Sequence, residues 1–178
     1  MSDLWTRARH AARLLRARLA LPDYAPASTV IDAALSDAGL FCELLSPDDP
    51  LLAGAHAVLD RDCDAVWVRD TAPSALRAYL IAHELAHFHL HPEYVGSGEY
   101  EGATDPDTNT GAAHLVGYSP RERRETEANT WARELLLPVG VAHARFFDDG
   151  MDAPAIAARY GVPLRSVVQP QLSTPGTN

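Results

Sequence analysis

The sequence contains no lysine, so arginine supplies all 15 of its strongly basic residues. Against these stand 24 acidic residues, and the formal net charge is −9 at pH 7. This balance argues against nucleic acid as a direct partner, because phosphate contacts need clustered positive charge. The only two cysteines, Cys42 and Cys63, exclude a disulfide framework and a CxxC-type zinc clamp, and they predict reduced thiols in a cytoplasmic protein.

Long apolar runs are missing as well. No stretch approaches the roughly 20 apolar residues that cross a membrane. The first apolar run is interrupted by Arg13, Arg16 and Arg18, which would spoil the core of a signal peptide. With 47% hydrophobic and 22% charged residues, the composition is that of one soluble globular domain. Nothing in it predicts the oligomeric state.

The order of apolar patterns predicts an α+β fold. An amphipathic helix comes first, with arginines opposite its apolar stripe, and we expect those arginines to face solvent. A second helix at residues 28–38 ends at Gly39. Three short segments then predict a small three-stranded sheet, mixed or antiparallel, at residues 40–45, 55–59 and 65–69.

The most informative stretch is an H-E-x-x-H motif at residues 83–87, late in a helical run that spans 74–91. His83 and His87 are one helical turn apart on the core-facing side, so both imidazoles can bind a single metal ion, with zinc the expected one. Glu84 points about 100° away, where it cannot bind the ion directly but can hold an attacking water as general base. A chance match with two hydrogen-bonded core histidines is the alternative.

A third ligand must come from another element. His89 projects from a different face of the helix, and His91 lies about 12 Å from His83 along the axis, too far for both to bind one ion. Glu125 is the candidate, because it shares the core-facing side of a helix over residues 125–138 with Asn129, which can orient a ligating histidine. Glu127 lies about 200° from Glu125 and is expected in the solvated first turn of that helix.

The composition of the chain changes after the helix that carries the H-E-x-x-H motif. Residues 92–120 are rich in glycine and predict a long flexible loop, in which His114 and Tyr118 receive no role. After Pro138, short helices at 153–160 and 164–168 form a helix-turn-helix-like pair with few basic residues. We therefore divide the chain into a domain at 1–138, a helical extension packed on it at 139–170 and a tail at 171–178.

The sequence resembles the ImmA/IrrE-type metallopeptidases. The resemblance rests on I-A-H-E-L-A-H at 81–87, on Leu90-His91, and on the block E-x-E-A-N-x-x-A-x-x-L-L-x-P at 125–138, and it spans about residues 10–165. Trp131 stands where that family often has phenylalanine. The resemblance implies a zincin-like fold and a narrow substrate, a helix-turn-helix transcriptional repressor of a mobile element or a stress response.

These observations predict an intracellular zinc endopeptidase in which His83, His87 and Glu125 hold Zn²⁺ and Glu84 acts as the base. Two other classes stay open. One is a metal-binding regulatory subunit that binds a partner without cleaving it, against which Glu84 argues because a pure binding site needs no base. The other is a DNA-binding regulator that uses the C-terminal helix pair, against which the low basic content argues.

Overall fold

The computed structural model describes residues 2–92 and 120–172, and within them the chain has the predicted α+β fold. A short 3₁₀ turn at Pro50–Leu52 and a π-helical turn at Ala144–Asp148 accompany the regular elements. These elements are α1 (Ser2–Arg18), α2 (Ala27–Ala38), β1 (Phe41–Leu45), β2 (Ala57–Asp60), β3 (Ala65–Arg69), α3 (Ser74–Leu90), α4 (Pro120–Leu136), α5 (Val139–His143), α6 (Ala153–Tyr160) and α7 (Leu164–Leu172).

Two sequence predictions fall wholly or partly outside the described residues. These are the loop at 92–120, with His114 and Tyr118, and most of the tail at 171–178. Helix α7 continues to Leu172, so it includes the first two residues of the predicted tail.

The sheet is small and mixed, with strand order β1-β3-β2. β2 and β3 form the predicted antiparallel hairpin, with Asp60 opposite Ala65 at the turn. β1 runs parallel to β3, so its register places Phe41 opposite Ala65. Among the described residues β2 is therefore an edge strand of the sheet, and it packs against α3.

Helix α3 is the centre of the molecule. Every residue from Ala78 to His87 is buried, because α2, α4, β2 and β3 all pack against this helix. A helix enclosed on all sides is apolar around most of its circumference, and here Leu85 and Ala86 fill the positions between Glu84 and His87. The H-E-x-x-H motif thus lies in the protein interior.

Helix α1 packs along α4. The sequence predicted that the arginines of α1 form a solvated face, but three of them contact buried groups. Arg16 is only 5% exposed and donates hydrogen bonds to the carbonyl oxygens of Leu135 and Pro22. Arg7 and Arg13 reach over the helix and form ion pairs with the buried carboxylates of Glu127 and Glu134, each at 2.7 Å. The prediction is wrong for Arg16, which is buried, whereas the side chains of Arg7 and Arg13 are 64% and 55% exposed while they pair with buried acids of α4.

The C-terminal helices share the core of the rest of the chain. Ile156, Tyr160 and Val167 belong to the same buried cluster as the apolar residues of α1 to α4. The predicted division at residue 138 stays a prediction. No helix in the described ranges is long and apolar enough to cross a membrane.

Candidate metal centre

The side chains of His83, His87 and Glu125 converge between α3 and α4. The two imidazole Nε2 atoms are 3.1 Å apart. Glu125 Oε2 lies 3.2 Å from His83 Nε2, and Glu125 Oε1 lies 3.3 Å from His87 Nε2. Helix α3 supplies both histidines one turn apart, and α4 supplies the carboxylate from across the helix interface, as the sequence predicted.

These distances fit a metal ion. Zinc–nitrogen bonds of about 2.1 Å in a tetrahedron place neighbouring ligand atoms about 3.4 Å apart. The separations of 3.1, 3.2 and 3.3 Å between the candidate ligand atoms are close to that value. Two buried imidazoles and a carboxylate whose side chain is 29% exposed form the group.

The hydrogen bonds behind His83 set its tautomer. Its Nδ1 lies 3.0 Å from Asn129 Oδ1, and the hydroxyl of Tyr79 donates to the same oxygen. A carbonyl oxygen can only accept, so Nδ1 of His83 carries the proton and Nε2 of the neutral ring presents its lone pair. The predicted orienting role of Asn129 therefore has the required geometry.

Glu127 was predicted to be solvated, and this is wrong. It is 4% exposed and accepts hydrogen bonds from Arg7 and from His91, whose Nε2 lies 3.2 Å from Glu127 Oε2. Glu127 does lie on a different side of α4 from Glu125, but that side faces α1 and the end of α3 instead of water. His91 in turn places its Nδ1 3.1 Å from Nδ1 of His87.

His91 is the residue whose surroundings the sequence reasoning missed. It was rejected as a ligand on its distance from His83, and it is indeed absent from the converging group. Its spacing of four residues from His87 was the available signal, since such residues are neighbours on a helix. His89 instead lies against Trp131, with ring centroids 5.5 Å apart.

Burial and mutual contact shift the pKa values of all three converging groups. Burial alone would raise the pKa of Glu125, but the imidazoles of His83 and His87 outweigh it and hold that pKa far below its usual range. Burial alone would lower the pKa of His83, yet the contact with Glu125 and the nearby charge of Glu84 raise it. The pKa of His87 is lowered, chiefly by burial, which favours the neutral ring that a metal requires.

Glu84 lies on α3 beside the converging group without joining it. It is buried, and its Oε2 accepts a hydrogen bond from the backbone N–H of Leu59 on β2 at 3.1 Å. This contact ties the carboxylate to an edge strand of the sheet. The offset of one residue from His83 is what keeps it out of the group, as the sequence predicted.

Two imidazoles from an H-E-x-x-H helix and a carboxylate from a second helix are the donor set of a metallopeptidase centre. Residues 53–169, more than half of the chain, match the Peptidase M78 family, described as the IrrE N-terminal-like domain. The chain belongs to this family, whose peptidases are metallopeptidases. No curated protein matches the chain.

Proposed function

We propose that the protein is a zinc-dependent endopeptidase of narrow specificity that acts in the cytoplasm. The observation that carries the proposal is the convergence of three electron-pair donors within 3.3 Å of one another, beside a buried glutamate, in a member of a peptidase family. His83, His87 and Glu125 are the proposed ligands. When bound there, Zn²⁺ would polarise the scissile carbonyl and acidify a water molecule.

Glu84 is the proposed general base. Its carboxylate takes a proton from the attacking water and delivers it to the leaving amine, so that the peptide bond breaks into a carboxylate and an amine. The hydrogen bond from Leu59 holds the carboxylate in place beside the ligands. Burial excludes bulk water that would otherwise compete for its hydrogen bonds.

The proposed substrate is a helix-turn-helix transcriptional repressor of a mobile element or a stress response, cut at one bond. This part rests on the resemblance to ImmA/IrrE-type peptidases. An extended substrate segment can add to the edge of a sheet, and β2 is the edge strand that contacts Glu84. An exposed linker or a loosely packed helix of the repressor would supply that segment.

The test combines metal content with cleavage. The purified protein should hold about one zinc per chain, and a His83→Ala/His87→Ala variant should hold none. Glu84→Gln should retain zinc and partner binding but lose cleavage of a co-expressed repressor, because an amide cannot act as a base. Glu43→Gln, on the other edge strand β1, is the matched control and should cleave like the unaltered protein.

Three outcomes would refute the proposal or a part of it. Equal cleavage by the unaltered and Glu84→Gln proteins would remove Glu84 from the chemistry. Tight, zinc-dependent partner binding with no cleavage by either protein would favour a regulatory subunit instead. Efficient digestion of unrelated unfolded proteins would leave the peptidase assignment standing and would refute the narrow specificity.

A further inference from the structure

We propose that His91 and Glu127 form a positioning pair that fixes the His87 imidazole in the tautomer needed to bind a metal ion through Nε2. This inference rests on the proposed metal site. It adds two residues that do not touch the ion and assigns them a task in assembling the site. The observation that carries it is a buried chain of contacts from Glu127 through His91 to His87.

The carboxylate of Glu127 determines which atom donates in each hydrogen bond of this chain of contacts. Its Oε1 accepts from Arg7 Nη2 at 2.7 Å, and its Oε2 lies 3.2 Å from Nε2 of His91. A carboxylate can only accept, so the His91 proton lies on Nε2. Both His91 and Glu127 are at most 4% exposed, which keeps water from replacing either partner.

The same direction continues to the proposed ligand. A metal ion bound at Nε2 of His87 requires the His87 proton to be on Nδ1, and His91 can accept a hydrogen bond from that proton through its own Nδ1 when its single ring proton is on Nε2. Nδ1 of His91 lies 3.1 Å from Nδ1 of His87, which donates in this arrangement. His87 then carries its proton on Nδ1 and presents the lone pair of Nε2 toward His83 and Glu125.

The position of His91 is itself held at the end of α3. Its backbone N–H donates to the carbonyl oxygen of His87, and Arg61 Nη2 donates to the carbonyl oxygens of both residues. The two rings are consequently neighbours, with centroids 5.1 Å apart. The other proposed histidine ligand, His83, has a different partner, because its Nδ1 donates to the amide oxygen of Asn129.

The first experiment measures zinc affinity by competition with a chromophoric chelator. Replacing His91 by leucine should weaken binding about 10–100-fold, the usual effect of losing the partner of a ligating histidine. His91→Asn should recover most of that loss, because its carbonyl oxygen can accept from His87 as Asn129 does from His83. His89→Leu is the matched control on the same helix and should leave the affinity unchanged.

The second experiment reads the tautomers directly. Long-range ¹H–¹⁵N spectra of the zinc-loaded protein should show His91 protonated at Nε2 and His87 at Nδ1. In Glu127→Leu, which removes the acceptor, the His91 proton should no longer be confined to Nε2. A merely structural role for the pair would not move these signals.

The possible failures are distinguishable. Absence of zinc binding by the unaltered protein would overturn both the metal site and the positioning pair. Tight zinc binding that is equal in the His91→Leu and His89→Leu variants would overturn the pair alone. Failure of His91→Asn to recover affinity, or protonation of His91 at Nδ1 in the unaltered protein, would overturn it as well.

Discussion

If His83, His87 and Glu125 hold a metal ion as proposed, removing that ion should lower the melting temperature of the protein. In the neutral tautomers proposed for His83 and His87, the facing Nε2 atoms of both rings and both oxygens of Glu125 are all acceptors, 3.1–3.3 Å apart. Without a cation these lone pairs repel one another. A proton on His83 relieves part of the repulsion, because contact with Glu125 raises the pKa of that imidazole despite its burial. We therefore expect the metal-free protein to fold but to be less stable.

The magnitude follows from linkage between binding and folding. Free zinc buffered at about 100 times its Kd stabilises a folded protein by about 2.7 kcal/mol. For a chain of this length this raises the melting temperature by roughly 5–11 °C. Melting curves in zinc buffer and in excess chelator would measure the difference. The His83→Ala/His87→Ala variant should show no difference, whereas His10→Ala/His56→Ala, the matched control, should keep it. Equal melting in zinc and chelator would refute the reasoning.

Three further predictions concern the rest of the chain. Arg16→Met should lower the free energy of unfolding by about 2–4 kcal/mol in urea titrations, because two carbonyl oxygens lose a charged donor. Ala12→Glu should cost about 3–5 kcal/mol by burying an unpaired charge between α1 and the core, whereas Ala17→Glu, on the exposed side of α1, should cost under about 0.5 kcal/mol. Burial raises the pKa of the Cys42 thiol, and a hydrogen bond to an aspartate raises that of Cys63, so both should alkylate more slowly than free cysteine at pH 7.5.

The converging residues could be predicted because each depends on geometry within one helix. The spacing of His83 and His87 fixes their common side on α3, and the spacing of Glu125 and Asn129 does the same on α4. The apolar residues around them then indicate that both sides face the core. Nothing about the packing of the two helices was needed beyond the need to bury those sides.

The features that were missed depend on what lies across an interface. A helical wheel gives the angle of Glu127 but not the presence of Arg7 and His91 on the other side. The sequence did not predict which strand pairs with β1, for a similar reason. A hairpin is recognised from its short turn, whereas parallel pairing of β1 with β3 depends on how the whole sheet packs on the helices.

Helix α1 lies outside the matched residues 53–169, yet it contacts residues that support the candidate site. Its Arg7 donates to the carboxylate that also accepts from His91, and His91 lies against His87. Its buried alanines and leucine pack against the helix that carries Glu125. The position of α4 relative to α3 sets the distance from Glu125 to both imidazoles, so the first helix helps to set the geometry of the candidate metal centre although it contributes no ligand.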